Sequence, residues 1–144
     1  MEDTFARFDM LAFPKRQRLR FLAWLISFPA VWKHRAVIEK VRMDELKPPY
    51  LLLCNHNAFQ DFKVTTAAIF PHRANYVVAI DGFTAPTKKG FQSREWLLRT
   101  VGCICKRKFT NDAILVRQLN RVVKKGDIAV LYPEARYSLC GTSA

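Results

Sequence analysis

Four short, unbroken apolar runs constrain this chain more than any other feature: residues 50–54 (YLLLC), 76–80 (YVVAI), 101–105 (VGCIC) and 128–132 (IAVLY). Runs of about five residues with no polar face read as strands, and in a covered sheet such strands are apolar on both sides. Helical stretches separate them. Residues 62–70 read as a helix stopped before Pro71, and residues 93–100 as a helix capped by Ser93 with Glu95 in its first turn. Residues 111–125 are the clearest helix. Ile114, Leu115, Leu119, Val122 and Val123 share a face, Thr110 or Asn111 can cap the start, Lys124 and Lys125 sit in the last turn, and Gly126 supplies the stop. Residues 36–41 alternate and read as a further strand, whereas residues 81–90, with Lys88 and Lys89, read as a loop. Helices alternating with apolar strands predict an α/β fold, with a central, mostly parallel or mixed sheet covered by helices on both faces.

The first 35 residues follow a different pattern. A 12-residue apolar block, residues 21–32, contains Trp24, Pro29 and Trp32. Arg16, Arg18 and Arg20 precede it, and Lys33, His34 and Arg35 follow it. The block is too short to cross about 30 Å of hydrocarbon. Aromatic residues fenced by cations suit an amphipathic helix lying in the lipid headgroup layer. Packing on its own domain is the alternative. A secretory leader fits poorly, because the apolar block starts late and no small-residue cleavage site follows. The chain thus divides into an N-terminal interface arm, residues 1–35, and an α/β domain, residues 36–144. At 144 residues, half of them apolar, it is long enough to bury a real core.

The formal net charge is +12, and most of it lies in residues 63–125, with 13 basic and three acidic side chains. Such a surface attracts phosphates, whether on anionic lipid, a nucleotide or nucleic acid. No zinc-finger pattern, RNA-recognition aromatic motif or helix-turn-helix stands out, so nucleic acid is not the expected partner. The four cysteines form no CxxC pair, and the three histidines are scattered. They are expected to be reduced structural thiols of a cytoplasmic protein, with no metal site.

Chemistry in an open α/β sheet gathers beyond the carboxyl ends of the strands. Three of those ends carry polar residues: Asn55, His56 and Asp61 after the 50–54 run, Lys106, Arg107 and Lys108 after the 101–105 run, and Glu134 and Arg136 after the 128–132 run. If His56 closes its strand and Asp61 opens the next helix, the turn between them can fold the carboxylate onto the imidazole. A carboxylate on one ring nitrogen fixes the tautomer and leaves the other nitrogen as a base. No GxSxG elbow or suitably placed cysteine accompanies the pair. It could therefore act directly on the hydroxyl of a bound substrate. The spacing alone equally admits a helix cap and turn. Arg107 alone reads as a solvated surface cation, and Glu134 with Arg136 as an exposed ion pair.

Together these blocks resemble a known family. Asn55, His56 and Asp61, directly after an apolar strand, resemble the NHxxxxD signature of the glycerolipid (lysophospholipid) acyltransferases. Residues 102–107 (GCICKR) look like that family's second block, and residues 132–136 (YPEAR) look like its third. The resemblance spans about residues 36–141. It implies that His56 is the general base and Asp61 its orienter. Asn55 would steady the turn, Arg107 and Arg136 would clamp the acceptor's phosphate, and Glu134 would hold the head group or its arginine. The implied reaction moves an acyl chain from acyl-CoA or acyl-carrier protein to the hydroxyl of a lysophospholipid, without a covalent enzyme intermediate. Neither metal nor resident cofactor is implied, and the location would be the cytoplasmic face of an anionic membrane, peripheral or monotopic. Two departures stand out. Ala135 replaces the family's glycine, and the fourth block, an apolar strand with proline, has no counterpart before Ala144, so the resemblance implies a missing C-terminal part. The alternative from another class is a non-catalytic basic module that binds anionic lipid or nucleic acid.

Overall fold

The computed structural model of the chain describes residues 18–56, 60–72, 74–84, 98–99, 101–107 and 112–133, with side chains from residue 24 onward and without that of Thr84. In chain order the elements are α1 (Arg18–Lys33), β1 (Leu51–Leu53), α2 (Asp61–Ala68), β2 (Ala74–Ala79), α3 (Ile80–Thr84), β3 (Ile104–Lys106), α4 (Ala113–Lys124) and β4 (Ile128–Leu131). A 3-10 turn, Met43–Glu45, precedes β1. The strands form one sheet in the order β1-β4-β2-β3, and every pairing is parallel. The expected α/β fold, a sheet flanked by helices, is the one observed.

Register sorts the side chains onto two faces. Leu52 stands beside Val130, which stands beside Tyr76, and Val78 stands beside Cys105. On this face Tyr76, Ile128, Val130, Cys103 and Cys105 pack with Ile69, just beyond α2, and with Phe83 of α3 into one apolar cluster. On the opposite face, α4 lies against β4 and β3. Both faces of β4 are therefore covered, which explains why Ile128, Ala129 and Val130 are all buried.

Several expectations are corrected here. The 50–54 run was expected to be a buried central strand, but β1 is an edge strand. Leu51 and Leu53 remain 49% and 60% exposed on the face opposite the cluster. Residues 36–41 form no strand, and Val37 and Val41 point into solvent. Alternation specifies a strand only where a sheet edge accepts it, and the ladder partner of β1 is β4. Ile80 ends no strand and residues 81–84 are no loop, because the chain coils at once into α3 and inserts Phe83 into the core. The 101–105 run forms its strand late, at Ile104–Lys106, after a turn at Gly102. Of the expected helix over residues 93–100, residues 98–99 are described and are helical.

The cap of α4 also differs from expectation. Asp112, not Thr110 or Asn111, accepts the Leu115 amide at 3.2 Å. The helix ends as its sequence requires. Gly126 takes φ 73°, its amide reaches Val123 O and the Asp127 amide reaches Val122 O, a Schellman closure. α1 ends in the same way with a non-glycine: Arg35 takes φ 47°, its amide bonds Trp32 O and the Ala36 amide bonds Val31 O.

α1 packs against α2, with the Trp24 ring stacked on Phe70 at 4.8 Å between centroids. It is not amphipathic in the expected sense. Ser27 is buried, whereas Leu25, Ile26, Phe28 and Trp32 are exposed. Among the described residues, no helix is long and apolar enough to cross a membrane.

Two glycines in the left-handed region yield a contrast. A Cβ on Gly126 would meet nothing within 4 Å, whereas one on Gly102 (φ 86°) would come within 2.9 Å of Asn75 Oδ1. Asn75 is itself buried, and its Nδ2 donates to Ile128 O. Gly126→Ala should cost about 1–2 kcal/mol, the strain of a side chain in that region. Gly102→Ala should cost distinctly more, read as the difference in urea midpoints.

Candidate active site

The ladder carries β1 slightly past its end, since the Cys54 amide donates to Leu131 O at 3.0 Å. His56 follows two residues later, and Asp61 is the first residue of α2. A negative side chain in that first turn is favoured by the positive end of the helix. His56 Nδ1 lies 3.1 Å from Asp61 Oδ2, and both side chains are largely buried, at 25% and 21% exposure. A carboxylate accepts only, so Nδ1 carries the proton, and in the neutral ring Nε2 holds the lone pair.

A second contact lies against the imidazole. The Tyr132 ring, one residue past β4, lies 4.8 Å from it, centroid to centroid, at 34°. Thr65, one turn after Asp61, donates its hydroxyl to Asp61 O at 2.9 Å. Its oxygen also lies 3.1 Å from the Tyr132 hydroxyl, so with the threonine proton already committed, the tyrosine donates. Burial pushes the Tyr132 phenol up to about 12, which keeps it a donor at neutral pH. The next residue makes a related contact: Thr66 donates to Phe62 O and lies 2.7 Å from the Tyr76 hydroxyl of β2, which itself donates to Phe62 O at 3.1 Å. Two consecutive threonines thus tie the start of α2 to two neighbouring strands.

Cys54 shares this corner. Burial raises its thiol above the ordinary range, a hydrogen bond with Thr65 partly opposes that, and the Asp61 charge adds to the rise. A thiol held protonated is a poor nucleophile. Cys54, Cys103 and Cys105 are all free thiols. Among the described residues, no group of three potential metal ligands exists.

Of the residues singled out from sequence, His56 and Asp61 are brought together. Asn55 is exposed, and its side chain makes no hydrogen bond among the described residues, which leave out residues 57–59 of the turn it was expected to steady. Arg107 sits on the same carboxyl edge but after β3, three strand positions from β1, which is roughly 14 Å at normal strand spacing. Its amide donates to Asp112 Oδ2 at 3.0 Å, and its Nη2 to Asp112 Oδ1 at 3.3 Å. The guanidinium expected to clamp phosphate is thus engaged with the cap of α4. Glu134 and Arg136 lie outside the described residues, as do Lys108 and Ala135.

Sequence reasoning assigned no role to Thr65, Tyr132 or Asp112. Thr65 could have been found four residues beyond Asp61, on the same helical face. For Tyr132 the strand order is needed, because only the pairing of β4 with β1 puts its ring beside His56. No protein-family model, curated protein or solved structure matches the chain.

The Asp112 carboxyl has a testable pH signature. Burial raises it, but hydrogen bonds from the Arg107 amide and guanidinium and from the Leu115 amide, with the arginine's charge, outweigh burial and hold it below the ordinary range. A depressed carboxyl stabilises the fold above its unfolded value of about 3.9. That contribution is lost as pH falls through the lower folded value. Asp112→Ala should therefore cost about 1–2 kcal/mol near neutrality, as a lost cap. The gap in melting temperature between wild type and Asp112→Asn should be widest near pH 7 and close below about pH 4.

Proposed function

We propose that this chain is an O-acyltransferase that moves a fatty acyl group from acyl-CoA or acyl-carrier protein to the hydroxyl of a lysophospholipid of the 1-acylglycerol-3-phosphate type. The observation that carries the reading is the His56–Asp61 pair, at 3.1 Å on the carboxyl edge of a parallel sheet. The protonated Cys54 thiol and the three-block resemblance support it.

In this reading, Nε2 of His56 takes the proton of the lipid hydroxyl as that oxygen attacks the thioester carbonyl. The tetrahedral adduct collapses, the carbon–sulfur bond breaks, and the imidazolium returns the proton to the departing thiolate. Products are the ester and the free thiol. The enzyme carries no acyl group and nothing is oxidised or reduced. Asp61 holds the tautomer and stabilises the transient imidazolium. Base catalysis of about 10²–10⁴-fold, with positioning, suffices for an activated thioester. By the resemblance, the acceptor's phosphate goes to Arg136, four residues beyond Tyr132 in sequence, and Glu134 holds the head group or its arginine. Arg107, tied to Asp112, contributes positive field at the same edge.

Both acceptor and product are lipids, so the site must meet a membrane. The exposed Leu25, Ile26, Phe28 and Trp32 of α1, followed by Lys33, His34 and Arg35, suit insertion into an anionic headgroup layer from the cytoplasmic face.

The test uses the whole chain with vesicles of phosphatidylcholine, phosphatidylglycerol and lysophosphatidate, and with a labelled acyl thioester. Wild type should form labelled phosphatidate. His56→Ala should fall to background, and Asp61→Asn by about a hundredfold or more. Phe28→Glu with Trp32→Glu should weaken vesicle binding while sparing turnover of detergent-dispersed lysophosphatidate. A folded chain that transfers no acyl group, or a His56→Ala variant as active as wild type, would contradict the proposal.

A further inference from the structure

We propose that Tyr132 is a positioning residue for the His56 base, and that it works as a latch whose catch is the Thr65 hydroxyl. This rests on the acyltransferase reading for its functional consequence. The hydrogen bond from Nδ1 to Asp61 holds the imidazole at one point, the pivot of the ring. The Tyr132 ring, 4.8 Å away, closes one side of the pivot. Its own position is set by the bond from its hydroxyl to Thr65, whose hydroxyl in turn donates to Asp61 O.

The arrangement has a geometric consequence. Asp61 and Thr65 stand on one turn of α2. The turn that carries the carboxylate therefore also carries the anchor of the ring that lies tilted against the imidazole. Shifts between the sheet and the helix move both contacts together, so the direction of Nε2 relative to Asp61 is preserved. The ring has a second effect. When His56 accepts a proton, an aromatic face within about 6 Å attracts the resulting cation. The phenol itself is not an acid or base for the substrate, because its proton is spent on Thr65. Among the described residues, the Cys54 thiol, hydrogen-bonded with Thr65, also lies within the field of the Asp61 carboxylate.

A merely structural tie would lower melting temperature and leave the rate per folded molecule unchanged. A latch lowers kcat. In the vesicle assay, with the full chain, Tyr132→Phe and Thr65→Val should each reduce kcat about tenfold, with KM changed less than twofold. The double variant should be no slower than the slower single one, because both remove the same bond. Thr65→Ser, which keeps the hydroxyl, should restore the rate. Tyr132→Leu, which removes the ring as well, should reduce kcat about a hundredfold. In proton NMR spectra, the His56 ring protons should be shifted upfield by the Tyr132 ring current in wild type and not in Tyr132→Leu. Should a variant fail to fold, the Thr65→Ser and Thr65→Val comparison and the wild-type ring-current shift still decide the matter.

The inference fails by itself if His56→Ala is inactive while Tyr132→Leu and Thr65→Val turn over at the wild-type rate. It also fails if the two single losses multiply in the double variant, or if the wild-type imidazole protons show no ring-current shift. If His56→Ala retains full activity, the acyltransferase reading fails first, and the role of the latch in it falls with it.

Discussion

The site depends on all four strands running the same way. A parallel sheet gathers every carboxyl end on one edge, and here that edge receives His56 after β1, Tyr132 after β4 and Arg107 after β3. One antiparallel strand would send one of these groups to the opposite rim. The central place of β4 is the second half of the constraint. Because β4 lies between β1 and β2, the aromatic residue that leaves it emerges beside the histidine that leaves β1. The residues that supply this order are ordinary: Ile128, Ala129 and Val130 are apolar on both faces and can sit nowhere but the middle.

α2 turns that edge into a site. Its first residue supplies the carboxylate, its next turn supplies two hydroxyls, and each hydroxyl takes a tyrosine from a different strand. Bonding to the carbonyl four residues back is neutral or slightly unfavourable for a helix alone. Here it commits the Thr65 proton and leaves that oxygen to accept from Tyr132, while Thr66 and Tyr76 both reach the Phe62 carbonyl. The same helix receives α1, whose exposed side chains include Leu25, Ile26, Phe28 and Trp32 and which buries Ser27. The proposed base and the proposed membrane-facing helix thus share one support.

The sequence revealed the fold class but not the arrangement within it. Apolar runs at residues 76–80 and 128–132 announced β2 and β4, and Gly126 marked the end of α4 because its backbone conformation is costly for other residues. Strand order was not legible. Residues 51–53 are apolar on both faces, as in a central strand, yet β1 is an edge, since burial of its outer face depends on elements that three residues cannot specify. Residues 36–41 alternate but find no ladder. Thr110, Asn111 and Asp112 are all good caps, and only the Arg107 contact distinguishes Asp112. In the site, the approach of Asp61 to His56 was readable because both flank one short turn. The Tyr132 contact was not, because it joins residues 76 positions apart and requires the β1–β4 pairing.

The central claim is that Asp61 holds the His56 imidazole with its proton on Nδ1, leaving Nε2 as the base. Nitrogen-15 NMR of the imidazole ring tests it most directly, at a pH where the ring is neutral. The account predicts a protonated-nitrogen shift at Nδ1 and a lone-pair shift at Nε2, with the preference lost in Asp61→Asn. A proton on Nε2, or two averaged nitrogens in the wild-type protein, would contradict it.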